Sequence, residues 1–212
     1  MQIKVCGITN NRNLMEIALL RPDYMGFIFH KESPRDITGT IGELQLSAVP
    51  ASVKKVAVVV DQPLEMVRNI IKKYRFEAVQ LHGDEDPGYC GQLMPLCEVI
   101  KAFRIEDALP GVLDQYENKC HLFLFDAKGK YQGGNGIQFN HDILKTYKLK
   151  TPYILSGGIG DTDLPYLQNI DLEGIAGVDL NSRFEISPGY KSISPLKDFI
   201  NKLRKNATVN KQ

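Results

Sequence analysis

An excess of one charge sign is missing from this chain: 26 Lys and Arg stand against 25 Asp and Glu, a formal net charge of +1 over 212 residues. A dedicated nucleic-acid or membrane-surface protein shows a clear basic excess, so the composition argues against both kinds of partner. The local basic stretches, Lys72-Lys73 and Lys202 to Lys205, read as solvated helix faces. Long apolar runs are also missing. Nothing approaches the ~20 residues that a membrane span requires, and the residues after Met1 lack the apolar stretch of a signal peptide. The four cysteines, Cys6, Cys90, Cys97 and Cys120, form no CxxC pair and have no histidine pair at zinc spacing nearby, so no metal site is expected. They are expected to be reduced thiols in a cytoplasmic protein. No Pro/Ser-rich linker or shift in composition divides the chain. One domain over residues 1–205 is expected, followed by a polar, frayed tail at 206–212.

What is present is alternation. Short β-branched runs at Ile3–Ile8, Tyr24–Phe29, Lys55–Val60, Ala78–Leu81, Glu98–Phe103, Leu122–Phe125, Tyr153–Leu155 and Gly174–Val178 read as strands. The Val-rich third run has the continuous apolar character of a parallel strand buried on both faces. Between them, helical patterns are expected at Asn11–Leu20, Gly39–Ser47, Pro63–Tyr74, Asp86–Met94, Asp107–Tyr116, Asp142–Tyr147 and Asp163–Gln168, with a last one at Pro195–Leu203. Roughly eight strand–helix units of this spacing suit right-handed βαβ crossovers. A doubly wound open sheet is the competing α/β fold. The unit count, the chain length and the lack of GxGxxG after the first strand favour a (β/α)8 TIM barrel.

In such barrels the functional side chains sit at the C-terminal ends of the strands. Those exits here carry Cys6-Gly7-Ile8-Thr9, Ser33-Pro34-Arg35, Asp61, His82-Gly83, Arg104, Asp126, Ser156-Gly157-Gly158 and Asp179-Leu180-Asn181-Ser182. Gly133-Gly134-Asn135-Gly136 and Gly157-Gly158 follow consecutive strands. Loops without Cβ atoms let backbone N–H groups converge on an anion, and the last two exits are where barrel phosphate sites usually lie. A phosphorylated small molecule is therefore the expected ligand. Cys6 is either a small core hydrophobe or a base or nucleophile facing the mouth. Asp126 closes an apolar run, a setting that favours a protonated carboxyl and so suits a proton donor; a turn or cap role is the alternative. Arg35 can fork a carboxylate or lie in a surface loop. His82 is either a donor to a ligand or a satisfied barrel-edge histidine.

Together these motifs resemble the phosphoribosylanthranilate isomerases, barrel enzymes of tryptophan biosynthesis. The match runs in order through Lys4-Val5-Cys6-Gly7-Ile8-Thr9, Gly26-Phe27-Ile28-Phe29 with Ser33-Pro34-Arg35, and Gln80-Leu81-His82-Gly83. It continues through Asp126 with Gly133 to Gly136, Leu155 to Ile159, and Val178-Asp179 through Glu185 to Pro188-Gly189-Tyr190-Lys191. The resemblance implies a (β/α)8 fold and an Amadori rearrangement with no metal or organic cofactor. It further implies Cys6 as general base, Asp126 as general acid and Arg35 as partner of the anthranilate carboxylate. Gly134, Gly136, Gly157, Gly158, Asn181 and Ser182 would form the phosphate cradle, with His82 and Asp179 also against the substrate. The chain departs from the commoner pattern at Asn135, Asn181, Arg183 and Phe139-Asn140. Two alternatives stand beside this reading: indole-glycerol-phosphate synthase, which would place lysine and glutamate at the exits that here carry Cys6 and Asp126, and a catalytically silent phosphosugar-binding barrel. The sequence sets no oligomeric state.

Overall fold

In a computed structural model that describes residues 1–127 and 140–209, eight parallel strands close into a barrel in chain order. They are β1 (Gln2–Cys6), β2 (Tyr24–Phe29), β3 (Lys54–Val59), β4 (Ala78–Leu81), β5 (Glu98–Ile105), β6 (Leu122–Ala127), β7 (Tyr153–Leu155) and β8 (Ile175–Leu180). Pairing of β8 back onto β1, with Lys4 opposite Asp179, completes the ring. Among the described residues the α-helices are α1 (Asn11–Leu19), α2 (Leu64–Tyr74), α3 (Pro87–Leu93), α4 (Leu164–Gln168) and α5 (Ile193–Val209).

Period-two alternation sorts each strand's side chains into two layers. One set, including Val56, Val58, Ile100, Leu122, Leu124 and Ile154, fills the barrel interior with Cys6. The other, including Val5, Phe27, Val59, Leu81, Phe125 and Val178, packs outward against Leu14, Val67, Leu93 and Phe199 of the helices. Local signals agree with this packing. Asn10 caps α1 by accepting from the Asn13 N–H, and Asp86 caps α3 by accepting from Tyr89, with Pro87 in the first turn. Arg75 closes α2 in the left-handed region, at φ 52°.

Three expected helices are corrected. Gly39–Ser47 holds two 3-10 turns, Ile41–Glu43 and Leu46–Ala48; Asp107–Tyr116 holds one, Leu113–Tyr116; and the stretch near Asp142 is 3-10 over His141–Thr146. Gly39 and Gly42 in the first, and Pro110-Gly111 in the second, interrupt segments already too short to repay helix nucleation. The third is two 3-10 turns over six residues, with the same shortage of length. Conversely, α5 runs on to Val209, through the first residues of the segment expected to be a frayed tail. Each further helical residue adds one backbone hydrogen bond once the helix is nucleated.

A hairpin not expected from the sequence follows β8: β9 (Glu185–Ser187) paired antiparallel with β10 (Tyr190–Lys191). Its turn carries Gly189 at φ +84°, where a Cβ would sit 2.4 Å from Thr9 Oγ1. Thr9 donates to the Gly189 carbonyl at 3.1 Å, and Asn13 bonds both the N–H and the C=O of Lys191. The hairpin is thus fastened to the exit of β1 and the start of α1, over the C-terminal mouth of the barrel.

Candidate active site

A cleft with about 650 Å³ of empty space, open to solvent, occupies that mouth. Its walls come from most of the strand exits: Cys6 from β1, Arg35 beyond β2, Val58 and Val60 from β3, Gln80 and His82 from β4, Asp126 from β6, Gly157 and Gly158 beyond β7, and Asp179, Asn181 and Ser182 from β8.

Cys6 is the last residue of β1 and only 3% exposed. It lies opposite Gly26 of β2, whose missing side chain makes room for the thiol: a Cβ there would stand 2.7 Å from Sγ. Two residues earlier on the same face, Lys4 Nζ lies 3.0 Å from each carboxylate oxygen of Asp179, both side chains being buried. Burial alone would lower the Lys4 pKa, but the charges of Asp179 and then Cys6 outweigh it and leave it raised. For Cys6, burial pushes the thiol up; Lys4 pulls it down, Asp179 adds to the rise, and the net effect is a raised pKa.

Asp126 belongs to β6 itself, paired with Arg104 of β5, rather than to the loop after it. The alternation that turns Leu122 and Leu124 inward carries it to the inner face, three strands round the ring from β1. Its Oδ2 lies 3.5 Å from His82 Nε2. On the other side of that ring, Gln80 Nε2 meets Nδ1 at 2.7 Å. With the Gln80 amide as donor, Nδ1 accepts, and the neutral ring carries its proton on the Nε2 that faces Asp126.

Arg35 reaches the mouth from the loop after β2, with its Nε and Nη2 forked onto Glu185 at 2.8 and 2.5 Å. The Nη1/Nη2 edge of the guanidinium is the one not spanned by this fork. Lys191 Nζ donates to Glu185 Oε1 at 2.6 Å and to Asn181 Oδ1 at 2.7 Å. Gly157 and Gly158 take φ values of +94° and +65° and line the same mouth as Asn181 and Ser182. Gly133 to Gly136, including the expected cradle residues Gly134 and Gly136, lie outside the described residues.

The structure therefore brings Cys6, Asp126, Arg35, His82, Gly157, Gly158, Asp179, Asn181 and Ser182 to one cleft. Sequence reasoning gave no role to Lys4, Gln80, Glu185 or Lys191. The first two had a signal, since each stands two residues before a candidate on the same strand and so shares its inward face. Glu185 and Lys191 stood in the last of the family motifs, but nothing local gave them a role, because they sit in the unexpected hairpin.

Comparison with known proteins agrees. The family model described as N-(5'phosphoribosyl)anthranilate (PRA) isomerase matches residues 3–202. An N-(5'-phosphoribosyl)anthranilate isomerase of Parabacteroides distasonis is 38% identical over 208 residues, covering 96% of this chain and 93% of that protein. One from Phocaeicola vulgatus is 36% identical over 207 residues, covering 96% and 98%. The crystal structure of the phosphoribosyl anthranilate isomerase from Thermus thermophilus superposes with a TM-score of 0.80 at 28% identity, covering 97% and 99%. With a family match over nearly the whole chain, relatives above one-third identity and the same closed barrel, this chain belongs to the phosphoribosylanthranilate isomerase family.

Proposed function

We infer that Cys6 and Asp126 are the base and the acid with which this chain performs the reaction of its family. That reaction isomerises N-(5-phosphoribosyl)anthranilate to 1-(2-carboxyphenylamino)-1-deoxyribulose 5-phosphate, an Amadori rearrangement. The observation that carries the assignment is that a thiol and a carboxyl from different strands line one cleft. Asp126 protonates the ribose ring oxygen while the anthranilate nitrogen pushes its lone pair in, which opens the ring to a protonated Schiff base. Cys6 then removes the proton at C2. The resulting enolamine ketonises by gaining a proton at C1 and losing the C2 hydroxyl proton. Proton transfer by a positioned acid or base contributes ~10²–10⁴-fold each.

The two grips on the substrate are separate. The anthranilate carboxylate meets the Nη1/Nη2 edge of Arg35, and the phosphate meets the N–H groups of the Gly157-Gly158 turn beside Asn181 and Ser182. His82, with Nε2 3.5 Å from Asp126 Oδ2, and Asp179, which holds the Lys4 beside Cys6, lie against the substrate. We also place the protein in the cytoplasm as a single domain; its four free cysteines suit a reducing compartment.

Turnover of phosphoribosylanthranilate, followed as loss of its fluorescence, tests the assignment. Cys6→Ser and Asp126→Asn, each shown to be folded, should lose ~10²–10⁴ in kcat with little change in substrate binding. A silent binding barrel would show no turnover in the wild type. Wild-type turnover in either variant would remove the role given to that residue.

A further inference from the structure

Beyond the groups that touch substrate, one buried chain of polar contacts runs along the β2–β1–β8 side of the mouth. Arg35 is forked onto Glu185, Glu185 accepts from Lys191, and Lys191 donates to Asn181. The side chains of Arg35, Glu185 and Lys191 are 9%, 5% and 0% exposed. The Gly189 N–H adds a further bond to Glu185 Oε1 at 3.0 Å. Asn13 of α1 clamps the Lys191 backbone from both sides, so the hub is fixed to a helix of the scaffold.

Two features distinguish this chain of contacts from an ordinary buried ion pair. It starts at the side chain assigned to the substrate carboxylate and ends at a residue of the phosphate cradle. Its charges are also unequal: Arg35 and Lys191 are two cations held by the single carboxylate of Glu185. Burying two cations against one anion is costly, so the orientation of both cationic side chains depends on the Glu185 carboxylate that they share.

We propose that Glu185 and Lys191 are positioning residues that couple the carboxylate grip to the phosphate grip. Both grips then depend on the one carboxylate of Glu185, which orients Arg35 directly and Asn181 through Lys191. The proposal rests on the assignment of Arg35 and Asn181 to the two ends of the substrate. It requires no movement of the barrel. Glu185 fixes the fork of Arg35 so that one edge faces the cleft, and Lys191 fixes the Asn181 side chain beside the glycine turn.

The test uses two partial ligands, anthranilate and inorganic phosphate, as competitive inhibitors of phosphoribosylanthranilate turnover in the wild type, Arg35→Ala and Glu185→Gln. Glu185→Gln should weaken both inhibitors by about tenfold, the scale of lost charge-assisted contacts, and should raise KM more than it lowers kcat. Arg35→Ala should weaken anthranilate alone. If Glu185→Gln leaves one or both inhibition constants unchanged, or lowers kcat more than it raises KM, the coupling is overturned while the assignment of Arg35 stands. Unchanged anthranilate inhibition in Arg35→Ala would instead overturn that assignment, and the coupling with it. Should Glu185→Gln show no cooperative melting, Lys191→Met decides by the same two constants: weakening of both supports the coupling, and any other pattern overturns it.

Discussion

Burial acts on Cys6 against the ionised form that a base needs. Desolvation raises its pKa, Lys4 pulls it back, and Asp179 adds to the rise. With a thiol raised above its ordinary value of ~8.5, the thiolate fraction at neutral pH is small and grows with every step toward alkali. The ascending limb of kcat/KM against pH should therefore lie at or above that ordinary value. Lys4→Met removes a neighbouring positive charge that lowers the Cys6 pKa, so it should move the limb to still higher pH. The check is a pH–rate profile on both proteins, with folding confirmed because Asp179 loses its partner. A limb below neutrality in the wild type, or one that Lys4→Met does not move, would contradict this account of the base.

At the scale of elements, strand pairing decides how the thiol is held. Cys6 sits opposite Gly26, and a Cβ at position 26 would lie 2.7 Å from Sγ and 3.2 Å from the Cys6 Cα. Gly26→Ala must displace either the thiol or the β1–β2 pairing. Misplacing a reacting group by ~1 Å costs on the order of 10²-fold in rate. Gly26→Ala is thus expected to lose at least about tenfold in kcat while KM changes little, since neither grip on the substrate lies on β2 itself. Steady-state kinetics on the folded variant settle the matter, and an unchanged kcat would mean that the thiol has room to spare. The expected and observed elements differ most where the chain is least periodic. All eight barrel strands were legible from their apolar runs, whereas three expected helices are 3-10 turns and the β9–β10 hairpin carried no signal.

For the whole molecule, the closed ring brings residues from distant parts of the sequence to one mouth. Lys4 and Asp179 are 175 positions apart and make the contact that stands beside Cys6. The same convergence bears on cofactors. Among the described residues, no three His, Cys, Asp or Glu side chains gather as a metal site, and the proton transfers proposed for Cys6 and Asp126 are written without one. Turnover is accordingly expected to survive exhaustive treatment with EDTA. Loss of activity that zinc or magnesium restores would overturn this expectation. Charge at the mouth is arranged as one pair, Lys4 with Asp179, and one triad, Arg35 and Lys191 on Glu185, and the cation excess of the triad suits an anionic ligand.

By itself the amino-acid order determined the class of fold, because eight short apolar runs separated by crossover-length segments have few ways to bury both faces of a parallel sheet. It also marked a first set of candidate residues that line one cleft, because the polar and glycine residues that interrupt those runs fall at their C-terminal ends. Period two even implied that Lys4 shares a face with Cys6, and Gln80 with His82. Only the tertiary structure decided which charges meet. Arg35 and Glu185 are 150 positions apart, and no local propensity records such a pairing; it exists because barrel closure and the Gly189 turn fold the hairpin back over the mouth. The direction of the Cys6 pKa was likewise undecidable from order alone. Desolvation and the balance between Lys4 and Asp179 depend on burial and distance, and both come into being only when the ring closes.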